Sequence, residues 1–363
     1  MQSKIPPPNA QKLQGDTSGA KAIRKIGPLL KKCYSKAYVL SNHGLGKAGL
    51  GERTLPHPGL KSLEDAVSLA LRGKQKAIRH SIICLLARGH LLIEDVPGVG
   101  KTTLALALSK VVDCSFKRIQ FTSDLLPSDI TGVNVFNTKT GDFEFRPGPI
   151  FANIVLADEI NRSSPKTQSA LLEAMNENCV SVDGNTFMLP DPFMVIATQN
   201  PLEQHGTYPL PESQLDRFMI SIRIGYPSPE VEKDVLKNIT EPQKLLESVP
   251  RVLGVEELLS FQKKCTRLKV DDSIIHYIHS IVLASRGHDM ITLGASTRSA
   301  QFLLRAAMAS AFYSGRDFVA PEDVKEMAPV VLAHRLVLKN GGPGQANPVH
   351  LIKDIVNGIA APV

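Results

Sequence analysis

The sequence predicts an α/β fold, with a parallel sheet covered by helices on both faces and a smaller, all-helical domain after it. Up to about residue 226, continuous apolar strands alternate with helical periods, which is typical of parallel strands buried on both faces. After the proline-rich stretch YPSPE, residues 229–336 show helical patterning and little strand signal. We therefore expect a basic tail over residues 1–60, the α/β core over 61–226 and the helical domain over 227–363.

The predicted elements of the core follow one another in an α/β order. Two helices, interrupted near Gly73, occupy residues 62–88, and HLLIE forms a strand before a glycine-rich loop and a helix. The later apolar strands are KRIQF, NIVLADE, FMVIATQN and RFMISIRI. Turn residues predict two hairpins, NVFNTKTGDFEFRPG and CVSVDGNTFML, on either side of the helix SPKTQSALLEAMNE.

The net charge of +7 comes from the tail and not from the body of the chain. Residues 1–60 contain ten basic and two acidic residues, whereas the remaining chain contains 32 basic and 33 acidic residues. The body therefore gives no electrostatic reason to expect nucleic acid as a partner. The tail is rich in Lys, Gly, Ser and Pro and lacks an apolar period, which predicts disorder, with an organelle transit peptide as the alternative.

Membrane and disulfide classes are disfavoured by the apolar and cysteine patterns. No apolar run approaches the roughly 18 residues of a membrane helix, and the N-terminal stretch lacks the apolar segment of a secretory signal. The five cysteines are odd in number and show no C-x-x-C spacing. This pattern favours reduced thiols in the cytoplasm over a disulfide framework or a zinc site.

The stretch DVPGVGKTT matches a phosphate-binding loop except at its first position, where aspartate replaces the usual glycine. Backbone N–H groups at a helix N-terminus would wrap phosphate, Lys101 would add charge, and the Thr102 hydroxyl would hold Mg²⁺. Aspartate tolerates the turn, although its carboxylate would repel phosphate unless it turns away. A turn before a capped helix is the alternative. The predicted nucleotide site comprises Asp95, Val96, Pro97, Gly98, Val99, Gly100, Lys101, Thr102 and Thr103.

Polar side chains end two of the predicted buried strands. NIVLADE carries Asp158 and Glu159 to the carboxyl edge of the sheet, where open α/β folds bind ligands. There Asp158 would hold Mg²⁺, and Glu159 would orient and deprotonate the attacking water. FMVIATQN ends in Asn200, which would hold the same water or the terminal phosphate. The alternatives are that the two acids begin a helix and that Asn200 is only a polar strand end.

Two arginines are further candidates for phosphate recognition. Arg217, in QLDRFMI, would act as an arginine finger on a neighbouring subunit, unless it pairs with Asp216 or Glu212 of its own chain. Arg298 lies in the first turn of a predicted helix that Ser296 would cap. A cation at that end opposes the helix dipole, which favours a charge partner such as a bound phosphate.

The motifs DVPGVGKT, ADEINR, PKTQSALLEAM, ATQNP, GTYPLPESQLDRF and GASTR occur in this order, and over residues 61–340 the chain resembles the MoxR family of AAA+ ATPases. The resemblance implies an AAA+ P-loop NTPase core with two β-hairpin inserts and a helical lid. It implies that Lys101 and Thr102 bind ATP and Mg²⁺ and that Asp158 and Glu159 support hydrolysis. Aspartate at the first loop position occurs within the family. The implied sensor 1, arginine finger and sensor 2 are Asn200, Arg217 and Arg298.

Two positions depart from the family pattern, His205 where an acid is frequent and Thr297 where proline is frequent. Arg162 is a candidate for contact with a neighbouring subunit, with a surface ion pair as the alternative.

The function that follows from the resemblance is Mg²⁺-dependent ATP hydrolysis by a hexameric ring that remodels or matures a client protein. A separate von Willebrand factor A domain protein and a client enzyme are the implied partners. A DNA-translocating motor and a nucleotide-sensing scaffold are the alternatives; the neutral body disfavours the first, and the filled catalytic positions disfavour the second.

Overall fold

A five-stranded parallel sheet lies at the centre of the structure, a computed structural model that describes residues 57–201, 206–237, 242–339 and 347–362. The strand order is β2-β5-β8-β1-β9, and every neighbouring pair is parallel, so the predicted parallel sheet is confirmed. In chain order, the core elements are α1 (Pro58–Ala70), α2 (Gln75–Leu86), β1 (Leu91–Glu94), α3 (Lys101–Val111), β2 (Phe116–Gln120), α4 (Pro127–Thr131), β3 (Gly132–Asn137), β4 (Asp142–Pro147), β5 (Ile154–Asp158), α5 (Pro165–Glu177), β6 (Cys179–Val182), β7 (Asn185–Met188), β8 (Met194–Gln199), α6 (Glu212–Leu215) and β9 (Ile220–Ile222).

Both faces of the sheet are buried. Successive side chains of its apolar strands point to opposite faces, and each face packs in its own core cluster. Ile93 and Leu156 belong to one core cluster, with helices α1 to α3 and much of the second domain. Leu92 and Val155, their neighbours in sequence, belong to the other cluster, with helix α5. The continuous apolar strands of the sequence therefore have the physical cause that was expected, namely cover on both faces.

Two antiparallel hairpins project from the core, β3–β4 and β6–β7, as the turn residues predicted. Gly141 and Gly184 adopt φ values of 78° and 81° at the two turns, a region that glycine enters at no steric cost. The hairpins meet through Phe145 and Phe187, whose rings stack with centroids 3.9 Å apart.

The second domain is helical, as predicted, with one short strand pair that the sequence pattern did not indicate. Ile291–Leu293 pairs with Val337–Leu338 in antiparallel fashion. Strands of two or three residues are too short to show an apolar period, which explains the miss. The elements are α7 (Pro229–Lys237), α8 (Pro242–Glu247), α9 (Val255–Cys265), α10 (Asp272–Arg286), β10 (Ile291–Leu293), α11 (Thr297–Tyr313), α12 (Pro321–Leu332), β11 (Val337–Leu338) and α13 (Pro348–Gly358).

No helix among the described residues combines the length and the apolar character that a membrane span needs. Residues 1–56 of the predicted tail, and His205, lie outside the described residues.

His57, the first residue that the structure describes, is already packed against the helical domain. The His57 N–H donates to the carbonyl of Tyr313 at 2.9 Å, and its ring lies 5.1 Å from the ring of Phe261 and 5.6 Å from that of Phe312. Leu60, in the first turn of α1, is fully buried. The first helix is therefore fixed by contacts with α9 and α11.

We predict that deleting residues 1–56 leaves the melting temperature within about 2 °C of the parent, whereas deleting residues 1–60 lowers it by several degrees. The longer deletion removes Leu60 and the His57 contacts. Leu60→Ala is the matched point variant and should lower the free energy of unfolding by about 2–5 kcal/mol. Calorimetry checks this expectation, and equal melting temperatures for the two deletions would contradict it.

Candidate active site

The phosphate-loop motif forms the turn between β1 and α3. Gly98 and Gly100 have φ values of 83° and 96°, so the turn uses the left-handed conformations that glycine permits. Helix α3 begins at Lys101 without a side-chain cap, which leaves its first N–H groups directed out of the helix end. Such an N-terminus carries partial positive charge and is suited to phosphate. Thr102 and Thr103 lie in the same first turn, partly exposed.

Asp95 turns its carboxylate into the protein. An acid at this position must turn away from the loop if it is not to repel a bound phosphate. The side chain accepts from Val96 N at 2.9 Å through Oδ1, and from Ile224 N at 2.7 Å and Gly225 N at 2.6 Å through Oδ2. Its carbonyl oxygen accepts from Lys101 Nζ at 2.7 Å. Asp95 is buried, and three backbone N–H groups satisfy its carboxylate oxygens.

The two acids predicted from NIVLADE lie at the carboxyl end of β5, where Thr198 of β8 connects them. The Thr198 hydroxyl donates to Asp158 Oδ1 at 2.6 Å and accepts from Glu159 N at 2.9 Å. Glu159 has a φ of 56°, which is uncommon for a residue with a side chain and is frequent where function fixes the backbone. Thr198 thus fixes the Asp158 carboxylate relative to the backbone of Glu159.

The outer oxygens of these acids contact two residues that the sequence did not single out, Arg118 and Gln120, and one that it did, Arg162. Arg118 of β2 donates to Asp158 Oδ2 through Nε at 3.1 Å and Nη2 at 2.5 Å. Gln120 donates to Glu159 Oε2 at 2.8 Å, and Arg162 Nε lies 3.2 Å from the same atom. The intramolecular alternative for Arg162, a surface ion pair, is therefore present in the structure.

Oxygen donors suited to Mg²⁺ are present at this edge. The Thr102 hydroxyl and the Asp158 carboxylate are hard oxygen ligands of the kind that Mg²⁺ prefers, and Mg²⁺ usually keeps several of its waters. Both Asp158 oxygens already accept hydrogen bonds, so a direct metal bond would displace Arg118. The arrangement fits an Asp158 carboxylate that would contact Mg²⁺ through one of the waters on the metal.

Asn200 follows β8 directly and is buried at the same edge of the sheet. The N–H of Asp95 donates to the carbonyl of Gln199 at 3.2 Å, which joins the ends of β1 and β8. The structure therefore brings together the phosphate loop, the two acids and Asn200.

Arg217 and Arg298 lie at the opposite, amino edge of the sheet. Arg217 precedes β9, and the N–H of Met219 donates at 2.9 Å to the carbonyl of His90, which precedes β1. The Arg217 guanidinium donates through Nη1 to the carbonyl of Leu172, and its buried Nε has no partner within the described chain. Burial and then the charge of Arg298 lower the pKa of Arg217.

Both arginines line a cavity of about 580 Å³ that also includes Arg88 and Arg305. Arg88 pairs with Asp191 at 2.5 Å, and Arg305 donates to the carbonyls of Ala87 and Arg88. Arg88 and Arg305 therefore bind groups of their own chain. Arg298 is half-exposed and lies 3.9 Å from Asp216. The residues that line this cavity include none of the phosphate loop.

Asp216 joins the core to the helical domain, a role that the sequence did not indicate. The sequence indicates Asp216 only as a partner of Arg217, whereas its carboxylate accepts from Arg335 Nε at 2.9 Å and from the Ser296 and Ser299 hydroxyls at 3.2 Å. Ser296 also accepts from Ser299 N at 3.1 Å, so the predicted N-cap is confirmed. Burial lowers the pKa of Arg335 to about 10, which still leaves it charged at neutral pH. Nothing local to QLDRF points to a partner 119 residues away.

The parallel sheet, the glycine-rich turn and the acids at its carboxyl edge define a P-loop ATPase of the AAA class. Residues 90–220 match the family described as ATPase family associated with various cellular activities, and residues 283–355 match the AAA lid domain. A crystal structure of a Cytophaga hutchinsonii protein, provisionally assigned as an ATPase, superposes with a TM-score of 0.78 at 38% identity. It covers 84% of this chain and 95% of that one.

Two relatives that match over most of their length give the finer assignment. The Chaperone MoxR1 of Mycobacterium tuberculosis is 40% identical over 302 residues, which cover 80% of this chain and 79% of that protein. The YeaC protein of Bacillus subtilis is 48% identical over 308 residues, 85% of this chain and 96% of its own. The chain belongs to the MoxR family of AAA ATPases.

We predict that Thr198→Val lowers kcat for ATP hydrolysis at least about tenfold and changes ATP affinity by less than about threefold. Valine has nearly the same shape but lacks the hydroxyl that connects Asp158 with Glu159. Thr198→Ser keeps the hydroxyl and serves as the matched control. Steady-state kinetics with a separate binding titration would show the split, and a parental kcat for Thr198→Val would refute the role given to Thr198.

Proposed function

We propose that Mg²⁺-ATP binds at the carboxyl edge of the sheet and that hydrolysis requires arginines of a neighbouring subunit in a ring. The observation that carries this proposal is the separation of the predicted site residues. Lys101, Asp158 and Asn200 follow or end strands at the carboxyl edge, whereas Arg217 precedes β9 at the amino edge. A four-residue strand such as β1 spans roughly 13 Å, so Arg217 cannot reach phosphate bound to its own loop.

The roles within one subunit follow from position. The N–H groups at the start of α3 and the Lys101 ammonium hold the phosphates, since both present positive charge to the same turn. Thr102 and Asp158 hold Mg²⁺, which neutralises phosphate charge when bound. Glu159 accepts the proton of the attacking water, and Asn200 orients that water. Gln120 and Arg162 fix the Glu159 carboxylate by their contacts with Oε2.

The roles across the subunit interface fall to Arg217 and Arg298. The two cations lie close enough for Arg298 to lower the pKa of Arg217, so an anion between them would relieve the repulsion. The terminal phosphate of ATP in a neighbouring subunit is such an anion. A heterologous contact of this kind places one subunit's arginines on the next subunit's loop and closes into a ring, for which we propose six subunits.

The energy of hydrolysis is used, on this proposal, to remodel or mature a client protein. Support comes from the relative named Chaperone MoxR1 at 40% identity. We propose that a separate von Willebrand factor A domain protein links the ring to a client enzyme. A DNA motor has less support, because the chain beyond residue 60 carries 32 basic and 33 acidic residues.

We also propose a cytoplasmic location, for which the cysteines provide support. The four cysteines in the described part of the chain, Cys84, Cys114, Cys179 and Cys265, are all free thiols. Burial raises the pKa of Cys114 to about 11 and that of Cys265 to about 12, so both stay protonated and unreactive at neutral pH. Free thiols are usual in reducing compartments.

We expect Lys101→Ala to weaken ATP binding at least about tenfold, because the loop loses its phosphate-directed cation. Lys110→Ala is the matched control, since Lys110 lies in the last turn of the same helix and donates to the carbonyl of Leu246. Titration with a fluorescent ATP analogue measures both variants. Equal affinities for Lys101→Ala and Lys110→Ala would remove the loop from the proposal.

We expect two inactive variants to restore each other when mixed. Glu159→Gln binds ATP but lacks the base, and Arg217→Ala binds ATP but lacks the finger. In an equimolar mixed ring, about one interface in four combines an intact Glu159 with a neighbour's intact Arg217. ATPase activity should therefore appear on mixing and approach about a quarter of the parental value if interfaces act independently.

The control for this mixing experiment is the double variant Glu159→Gln, Arg217→Ala, which forms no complete interface with Arg217→Ala. Native mass spectrometry establishes that mixed rings have formed. Mixed rings without recovered turnover, together with parental activity of Arg217→Ala alone, would rule out action of Arg217 across the interface.

A further inference from the structure

Asp95 connects the phosphate loop to the point where the chain leaves the sheet for the lid. The two N–H groups that donate to its Oδ2 belong to Ile224 and Gly225, directly after β9. Ile224 is buried in the core, and Gly225 has a φ of 68°, where a side chain would be strained. A buried carboxylate that accepts two short backbone hydrogen bonds fixes both donors in position. The first residue of the loop therefore holds the first residues of the lid connection.

The same connection is held from the other side by the turn between α1 and α2. Lys74 Nζ donates to the carbonyl of Tyr226 at 2.5 Å. A Cβ at Gly73 would lie 3.3 Å from the side chain of Val231, in the first turns of α7. Residues 224–226 are thus clamped between the loop and this turn, and helix α7 starts a few residues later at Pro229.

Lys101 lies between the expected phosphate site and the contacts that hold residues 224–226. Its Nζ donates to the Asp95 carbonyl, while the Asp95 carboxylate holds Ile224 and Gly225. If Lys101 turned to a bound phosphate, it would give up this bond, and the backbone of Asp95 would lose one of its hydrogen bonds. Glycine, the usual residue at this position, has no side-chain acceptor and would leave the lid connection without this bond.

We propose that Asp95 is a positioning residue that couples occupancy of the phosphate loop to the orientation of the lid. The inference rests on ATP binding at that loop and adds a regulatory contact to it. The lid in turn holds the segment that carries the finger, because Arg335 and Ser296 donate to Asp216, next to Arg217. The contact of Asp95 thereby relates the carboxyl edge of a subunit to the arginines at its amino edge.

The test uses Asp95→Gly in the full chain, with hydrogen exchange of the 224–233 segment measured with and without ADP. In the parent we expect ADP to change exchange over 226–233. In Asp95→Gly we expect the amides of Ile224 and Gly225 to exchange at least about tenfold faster, and the response of 226–233 to ADP to disappear. ADP and ATP affinities should stay within about threefold, while kcat falls at least about tenfold.

The matched control is Asp113→Ala, which removes the exposed ion pair of 2.7 Å between the end of the α3 segment and Arg251. It should leave the two amides, the ADP response and kcat as in the parent. If Asp95→Gly yields no folded protein, Asp95→Ala, which also lacks a side-chain acceptor, should show the same changes.

Two results would overturn the inference in either Asp95 variant. Unchanged exchange at Ile224 and Gly225 would mean that the carboxylate does not hold the connection. Faster exchange with a parental ADP response and kcat would mean that the connection does not transmit occupancy. Failure of the parent itself to bind ADP or ATP would count against the nucleotide site, and is measured separately in the same titrations.

Discussion

The polarity of the parallel sheet is the constraint on which the rest of the structure depends. Because every strand runs the same way, all carboxyl ends meet at one edge and all amino ends at the other. The phosphate loop, Asp158 and Asn200 occupy the first edge, and Arg217 occupies the second. On the proposed function, one chain therefore carries two half-sites, one at each edge of the sheet. On the proposed function, assembly is the step that turns these halves into an active site.

The lid contacts the core near the amino edge, and its connection contacts the core near the carboxyl edge, so the two edges are physically linked. At the amino edge, Asp216 accepts from Arg335, which is buried and also donates to the carbonyl of Phe218. At the carboxyl edge, Asp95 accepts from Ile224 and Gly225, where the connection to the lid begins. Both acids are bound by groups of the lid or its connection, so movement of the lid changes the surroundings of both edges together. On the inference above, nucleotide bound at the carboxyl edge alters the position of the arginines at the amino edge.

Much of this arrangement could be predicted from the sequence because its signals are local. The glycine pattern of the loop, the apolar strand that ends in Asp158 and Glu159, and the cap at Ser296 each lie within a few consecutive residues. The missed contacts depend on residues that are distant in sequence. Thr198 reads as one more residue of a buried strand, and its hydroxyl gains meaning only when β8 lies beside β5. The partners of Asp95 and Asp216 are 129 and 119 residues away, and no periodicity encodes such pairs.

The central claim is that each site is completed by the neighbouring subunit, and the most direct measurement is a high-resolution structure of the assembled protein with a non-hydrolysable ATP analogue. The account predicts that the terminal phosphate lies beside Lys101 of one subunit and within about 3 Å of the Arg217 guanidinium of the next. It also predicts that Arg217 of the subunit that binds the nucleotide stays at the amino edge, remote from that phosphate. A terminal phosphate contacted by Arg217 of its own subunit, or by no arginine of a neighbour, would contradict the account.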